Sequence, residues 1–175
     1  DSGIQWDHPA LKPHYRGWNG ATADHSYNWW DAVHSDIGGG GNLCGFNLAA
    51  PCDDAGHGTH TMGTGVGGDG AANQIGVAPG ATWIGCRNMD ARGDGTPARY
   101  LECMEFMLAP YPPSGTFLND GLPELGADII NNSWSCPLDE GCYPPTLTHA
   151  ITTLRAAGIL FVAAAGNDGP TCSSV

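Results

Sequence analysis

Positive charge is scarce in this sequence: six Lys and Arg stand against eighteen Asp and Glu, for a net charge of −12. Nucleic-acid binding relies on clustered cations that neutralise phosphates, so a nucleic-acid partner is excluded. The acidic surface reads as a solubility feature. No apolar run approaches the roughly 18 residues of a membrane-spanning helix, so no membrane partner is expected. Internal repeats and interdomain linkers are also lacking, and a chain of 175 residues can build one domain with a real core. Gly 27 and Pro 13 make it rich in turns, but a hydrophobic content of 41% marks it as globular rather than disordered.

Two familiar signatures are missing as well. No Glu follows His57 to make H-E-x-x-H, and Cys44 and Cys52 lack the tight spacing of a structural zinc pair. A zinc site built from these cysteines with His57 and His60 is therefore the weakest reading, and no metal ligand is assigned. "GTGVGG" at 63–68 has the form G-x-G-x-x-G but follows a small-residue helix instead of a strand, which argues against a dinucleotide site. The sequon Asn131-Asn132-Ser133 overlaps the end of a buried strand, so it is not expected to carry a glycan.

Cysteine, by contrast, is plentiful at seven. Cys44 with Cys52, and Cys136 with Cys142, each flank a short loop as staples do, which points to an oxidising, extracellular setting. Cys86 and Cys103 are candidates for a third pair, which their separation alone does not establish. Cys172 is left over, and its partner is expected beyond the end of the chain.

The organisation is α/β. Residues 1–54 read as loop-rich, with "GGGGN" at 38–42 a flexible surface loop. The small residues from Gly58 onward suit a closely packed helix starting at or just after His57. "ATWIGCRNM" predicts a buried strand at about 81–87. "TPARYLECMEFMLAP" then opens a helix with a Thr cap and Pro97 in its first turn, and Leu101, Met104 and Leu108 recur at helical spacing. "ADIINNSWS" predicts a short buried strand at about 127–132. In "PTLTHAITTLRAAG", Leu147, Ala150, Ile151 and Leu154 form one apolar helix face that Gly158 ends. "ILFVAAAG" is a continuous apolar run, as in a parallel strand covered on both faces. Alternating strands and helices imply parallel crossovers, with ligands bound at the carboxyl ends of the strands, where "NNSWS" and "AGNDG" fall.

Three stretches then belong together: "DSG" at 1–3, "GHGTH" at 56–60 and "AAAGNDGP" at 163–170. In this order they resemble the catalytic-Asp, catalytic-His and oxyanion-Asn blocks of the subtilisin-like serine proteases. The flanking "DHPAL", "NWWDAV", "NQIGVAPGA" and "INNSW" are most similar to the bacillopeptidase F branch, and the resemblance runs over nearly the whole chain. It implies a three-layer fold with a mostly parallel central sheet. It also implies a serine endopeptidase acting on peptides or proteins, secreted, and monomeric as the full-length enzyme.

By that resemblance Asp1 fixes the tautomer of His57. His57 takes the proton of a serine hydroxyl and returns it to the leaving amine, a role that suits an imidazole because it titrates near neutrality. Asn167 donates to the oxyanion, while His60 supports the helix. An extended peptide would lie between an edge at Gly93, Asp94 and Gly95 and another at Ser133, Trp134 and Ser135. The first specificity pocket would be walled by Ser133–Ser135 and by Ala164, Ala165 and Gly166. Family members commonly carry Gly where Ser135 stands, so a narrower pocket mouth is expected.

The family's G-T-S block is not found. Ser133 and Ser135 belong to the substrate edge, and Ser173 and Ser174 follow Asn167 too closely. Residues 1–175 are therefore expected to be a partial peptidase domain, incomplete at both ends. They would lack the first strand and the serine-bearing C-terminal part, and would be inactive alone. No cofactor is required for the chemistry. Structural calcium is usual in the family, but "GVGGDGAANQIGVAP" lacks the insertion that makes one common site, and Asp24, Asp31 and Asp36 do not make a clear one. The alternative function is a pseudoprotease, a peptide-binding or scaffolding module of the same fold. Joint retention of Asp1, His57 and Asn167 argues against it.

Overall fold

The computed structural model of the chain describes residues 1–167 and 169. Cys172, Ser173 and Ser174 lie outside the described residues. Among the described residues four short strands and four α-helices succeed one another as β1 (Trp29–Asp31), α1 (His57–Val66), β2 (Gly85–Arg87), α2 (Pro97–Leu108), α3 (Phe117–Asp120), β3 (Ile129–Asn132), α4 (Thr148–Ala156) and β4 (Leu160–Ala163). None of these helices is long and apolar enough to cross a membrane.

All four strands pair in parallel. β1 pairs with β2 in the register Trp29–Gly85 to Asp31–Arg87, and β3 with β4 in the register Ile129–Leu160 to Asn132–Ala163. The sheet is thus divided into two pairs. Where they face each other, a cavity of about 40 Å³ lies between Cys86 and Asn88 on one side and Ile130 to Asn132 on the other. The strand expected at about 81–87 is shorter than its apolar text, although Trp83 adds an isolated parallel bridge to Tyr15. β1 lies within the stretch read as loop.

Helix α2 holds the two pairs together. Thr96 accepts a hydrogen bond from the Arg99 N–H and Pro97 occupies the first turn, so the helix starts where its cap dictates. On one side Cys103 and Phe106 pack with Ala32, Cys86 and Tyr111 against the first pair. On the other, Met104 joins Ile130, Leu154 and Ile159, with Leu101 and Leu108 at the margin. The apolar face expected of α4 packs into this second cluster, and Gly158, at φ 90°, takes the left-handed conformation that ends the helix. A third cluster of Ile4, Leu11, Tyr15, Val66 and Trp83 seats α1.

All three cysteine pairs are disulfides: Cys44–Cys52, Cys86–Cys103 and Cys136–Cys142. The first removes two ligands from the zinc reading. The second fastens α2 to β2.

One expectation fails. β4 is not covered on both faces, since Leu160 is 58% and Val162 42% exposed, as is Ile129 of β3 at 61%. α2 and α4 cover one face of this pair, and among the described residues no second layer covers the other. Charge, in turn, is buried where none was foreseen. Arg87 stands opposite Asp31 across β1–β2 with its guanidinium fully buried, 3.6 Å from Asp31 and 3.5 Å from Asp54. Burial pushes the Asp31 carboxyl up despite this partner. Asp24 accepts from Ser26 N–H and Asp36 from the N–H groups of Gly38, Gly39 and Gly40, so the three aspartates considered for calcium serve separate purposes. Among the described residues no group of three acidic, His or Cys side chains is placed to hold a metal.

Candidate active site

The site begins with a helix whose N-terminus is held from outside. Gly56 caps α1 in the left-handed conformation, at φ 80°, which a side chain would strain. It brings no side-chain cap of its own, so the first N–H groups of α1 need other acceptors. Asp53 supplies one: its carboxylate accepts from Thr59 N–H at 2.9 Å, Thr59 hydroxyl at 2.6 Å and Gly56 N–H at 2.8 Å. Ser2 supplies the other, its hydroxyl accepting from Gly58 N–H at 3.0 Å and donating to Asp53 at 2.9 Å. The D-S-G segment is thereby pinned across the start of the helix.

The approach is close enough to dictate glycine. A Cβ on Gly58 would run into the Gly3 carbonyl and stand 3.1 Å from the Asp1 carboxylate. Behind, the Asn88 and Met89 N–H groups donate to the Asp1 carbonyl at 3.0 and 3.3 Å, setting Asp1 beside the residues that follow β2.

In this frame Asp1 and His57 meet. His57 Nδ1 lies 2.7 Å from Asp1 Oδ1, which also accepts Ser2 N–H at 2.7 Å, while Oδ2 accepts the Thr61 hydroxyl at 3.1 Å. The carboxylate is 16% exposed and the imidazole 52%. A carboxylate can only accept, so Nδ1 carries the proton, and in the neutral ring the lone pair falls to Nε2. The exposure of the ring gives that lone pair access to an incoming group. His60, one turn on, is exposed and makes no ion pair with a carboxylate among the described residues.

The strand ends complete the surroundings. Ala164 N–H donates to Asn132 carbonyl at 3.0 Å, so Ser133–Ser135 and Ala164–Gly166 leave the β3–β4 pair side by side. Asn167 follows as an exposed residue, and among the described residues no hydrogen bond joins it to Asp1 or His57. Trp134 and Asp1 both line the 40 Å³ cavity between the strand pairs. Gly93 and Asp94 form the tip of a turn closed by Asp90 N–H to Asp94 carbonyl at 2.9 Å. Gly95 is buried, so this edge is less open than its glycines imply. A larger groove of about 390 Å³, lined by Trp30, Glu102, Glu105 and Tyr111, holds none of these residues.

Ser2, Asp53, Thr61 and Asn88 were not foreseen as supports. A carboxylate four residues ahead of a helix start was the available signal for Asp53. Burial opposes ionisation there, but the hydrogen bonds from Thr59, Gly56 and Ser2 outweigh it and hold the Asp53 carboxyl below its ordinary range. A depressed pKa stabilises the fold above the ordinary carboxyl value, and that stability is lost as pH falls through the folded value. Thermal unfolding below about pH 4 should therefore show a steep acid loss that D53N flattens, with D53N already less stable at neutrality.

Comparison with known proteins gives the family of the chain. Residues 1–175 match the subtilase family throughout. The chain is 39% identical over 173 residues to bacillopeptidase F of Bacillus subtilis (strain 168), a match spanning 95% of this chain and 10% of that protein. It is 32% identical over 131 residues to serine protease AprX of the same organism, spanning 71% of this chain and 27% of that one. Among solved structures, a cold adapted subtilisin-like serine proteinase superposes with a TM-score of 0.56 at 21% identity, covering 95% of this chain and 44% of that chain. The chain thus spans between 10% and 44% of the length of these relatives. A helix opening on His57, a carboxylate held against its Nδ1 and a family match along the full length lead to one conclusion: the chain belongs to the subtilase family.

Proposed function

We propose that residues 1–175 are the Asp-, His- and Asn-bearing part of the peptidase domain of a secreted serine endopeptidase that cleaves peptides or proteins. The observation that carries this reading is the 2.7 Å contact between His57 Nδ1 and Asp1 Oδ1. In the neutral imidazole it puts the proton on Nδ1 and the lone pair on Nε2 of an exposed ring, the arrangement a general base needs.

In the reaction His57 Nε2 removes the proton of a serine hydroxyl as that oxygen attacks the scissile carbonyl. Asp1 stabilises the imidazolium that forms, without itself taking the proton. His57 then delivers the proton to the leaving amine, and water repeats the cycle on the acyl-enzyme. Asn167 donates its side-chain N–H to the oxyanion, a bond made only as charge develops. The serine is supplied from outside this chain. Ser133, Trp134 and Ser135 form one substrate edge, and together with Ala164, Ala165 and Gly166 they wall the first pocket. Gly93 and Asp94 begin the other edge. Three disulfides suit an extracellular setting.

Asn167→Ala tests the oxyanion role. In the full-length protein it should lower kcat by about 10²–10³ with KM little changed. A loss below about tenfold would place the oxyanion elsewhere.

A further inference from the structure

The two edges expected to flank a peptide are tied together by a side chain that belongs to neither. Glu140 ends a 3-10 turn at Leu138–Glu140, inside the loop that the Cys136–Cys142 disulfide closes immediately after Ser135. From there its carboxylate reaches across. Oε1 accepts the Gly95 N–H at 3.1 Å, and Oε2 accepts the Tyr100 hydroxyl at 2.5 Å. Burial first, then the Glu140 carboxylate, pushes the Tyr100 phenol far above its ordinary range, so it remains the donor.

Tyr100 in turn stacks flat on Trp134, with centroids 4.1 Å apart and planes at 9°. Gly95 is buried beneath this assembly, and a Cβ there would run into the phenol. At its other end the loop turns at Gly141, in the left-handed conformation at φ 90°, where a side chain would meet Pro97 at the start of α2.

A peptide that adds itself to an edge needs that edge's backbone donors and acceptors. At Gly95 the donor is already taken by a charged acceptor, the stronger kind of hydrogen bond, and the Tyr100 ring, backed by Trp134, packs against the glycine. We propose that Glu140 is a specificity-determining latch that closes the Gly95 end of the substrate edge and limits productive pairing to short acyl-side segments. The preferred substrates are peptides whose recognition ends before the residue that would face Gly95. This inference rests on the peptidase reading above.

The test is a series of peptides sharing one leaving group, with roughly two to six residues on the acyl side, hydrolysed by the full-length protein. In the wild type kcat/KM should stop rising once the peptide reaches Gly95. E140A should leave short peptides unchanged and raise kcat/KM for long ones by about tenfold, the yield of one or two regained peptide hydrogen bonds. E140Q keeps an acceptor for Gly95 N–H and should retain the wild-type plateau. Y100F, which removes one of the two bonds but keeps the ring, should fall between. A wild-type rate that keeps climbing with length, or an E140A effect equal on short and long peptides, would overturn the latch alone. Absence of hydrolysis at any length would overturn the peptidase reading, and the latch with it.

Discussion

Replacing His57 with alanine in the full-length protein should lower kcat on a peptide substrate by about 10⁶, the size known for subtilisin itself when this histidine is removed. The effect is large because base and acid are one group here. Without Nε2 the serine proton has no acceptor and the leaving amine no donor. The surroundings offer no substitute: Asp1 is occupied by Ser2 N–H and the Thr61 hydroxyl, and its carboxylate is turned inward. His60 is the control. It lies one turn along α1 without a carboxylate partner among the described residues, so H60A should change kcat by less than about tenfold. Equal losses in the two variants would mean that helix α1, and not a proton transfer at Nε2, is being disturbed.

The second large effect is at Asp1. D1A should lower kcat by about 10⁴, as loss of the corresponding carboxylate does in subtilisin. Two components are mixed in that number, orientation of the ring and stabilisation of the imidazolium, and the hydrogen bonds of this site allow them to be separated. Ser2 N–H points at Oδ1, the same oxygen that faces His57 Nδ1. In D1N that N–H selects the amide oxygen for the Oδ1 position and turns the amide nitrogen toward the Thr61 hydroxyl. His57 keeps its acceptor and its tautomer, and loses only the charge behind it. D1N should therefore retain more activity than D1A. Melting temperatures of both variants check that Ser2 N–H, left without its acceptor in D1A at a cost of about 1–3 kcal/mol, has not unseated the segment, while the Thr61 hydroxyl keeps the Gly58 carbonyl. A D1A loss below about tenfold would remove Asp1 from the mechanism.

Much of this was legible in the amino-acid sequence because single residues carried it. Thr96 and Pro97 set the start of α2, Gly158 set the end of α4, and the glycines around His57 marked a close approach. The short loops between Cys44 and Cys52 and between Cys136 and Cys142 announced their disulfides. What escaped depended on contacts between segments far apart in the chain. β1 is three residues long, too short for a period, and exists because Trp29 to Asp31 find β2. The apolar run of β4 reads as doubly covered, yet a sequence pattern registers the character of a strand and not the presence of a layer above it. Ser2 acts on α1 from 56 positions away, which no local motif encodes, whereas Asp53, 6 positions from Thr59, left a local signal that went unread. Glu140 meets Gly95 and Tyr100 only because a disulfide loop folds back.

The most direct test of the whole account is covalent trapping. The full-length protein is treated with a peptidyl phosphonate, an electrophile that captures a serine only when a neighbouring base activates it, and the adduct is located by mass spectrometry. The account predicts one adduct, on a serine outside residues 1–175, abolished by H57A and retained by H60A. A folded protein that takes no adduct, or an adduct on Ser133 or Ser135 that survives H57A, would contradict it and leave a peptide-binding module in place of an enzyme.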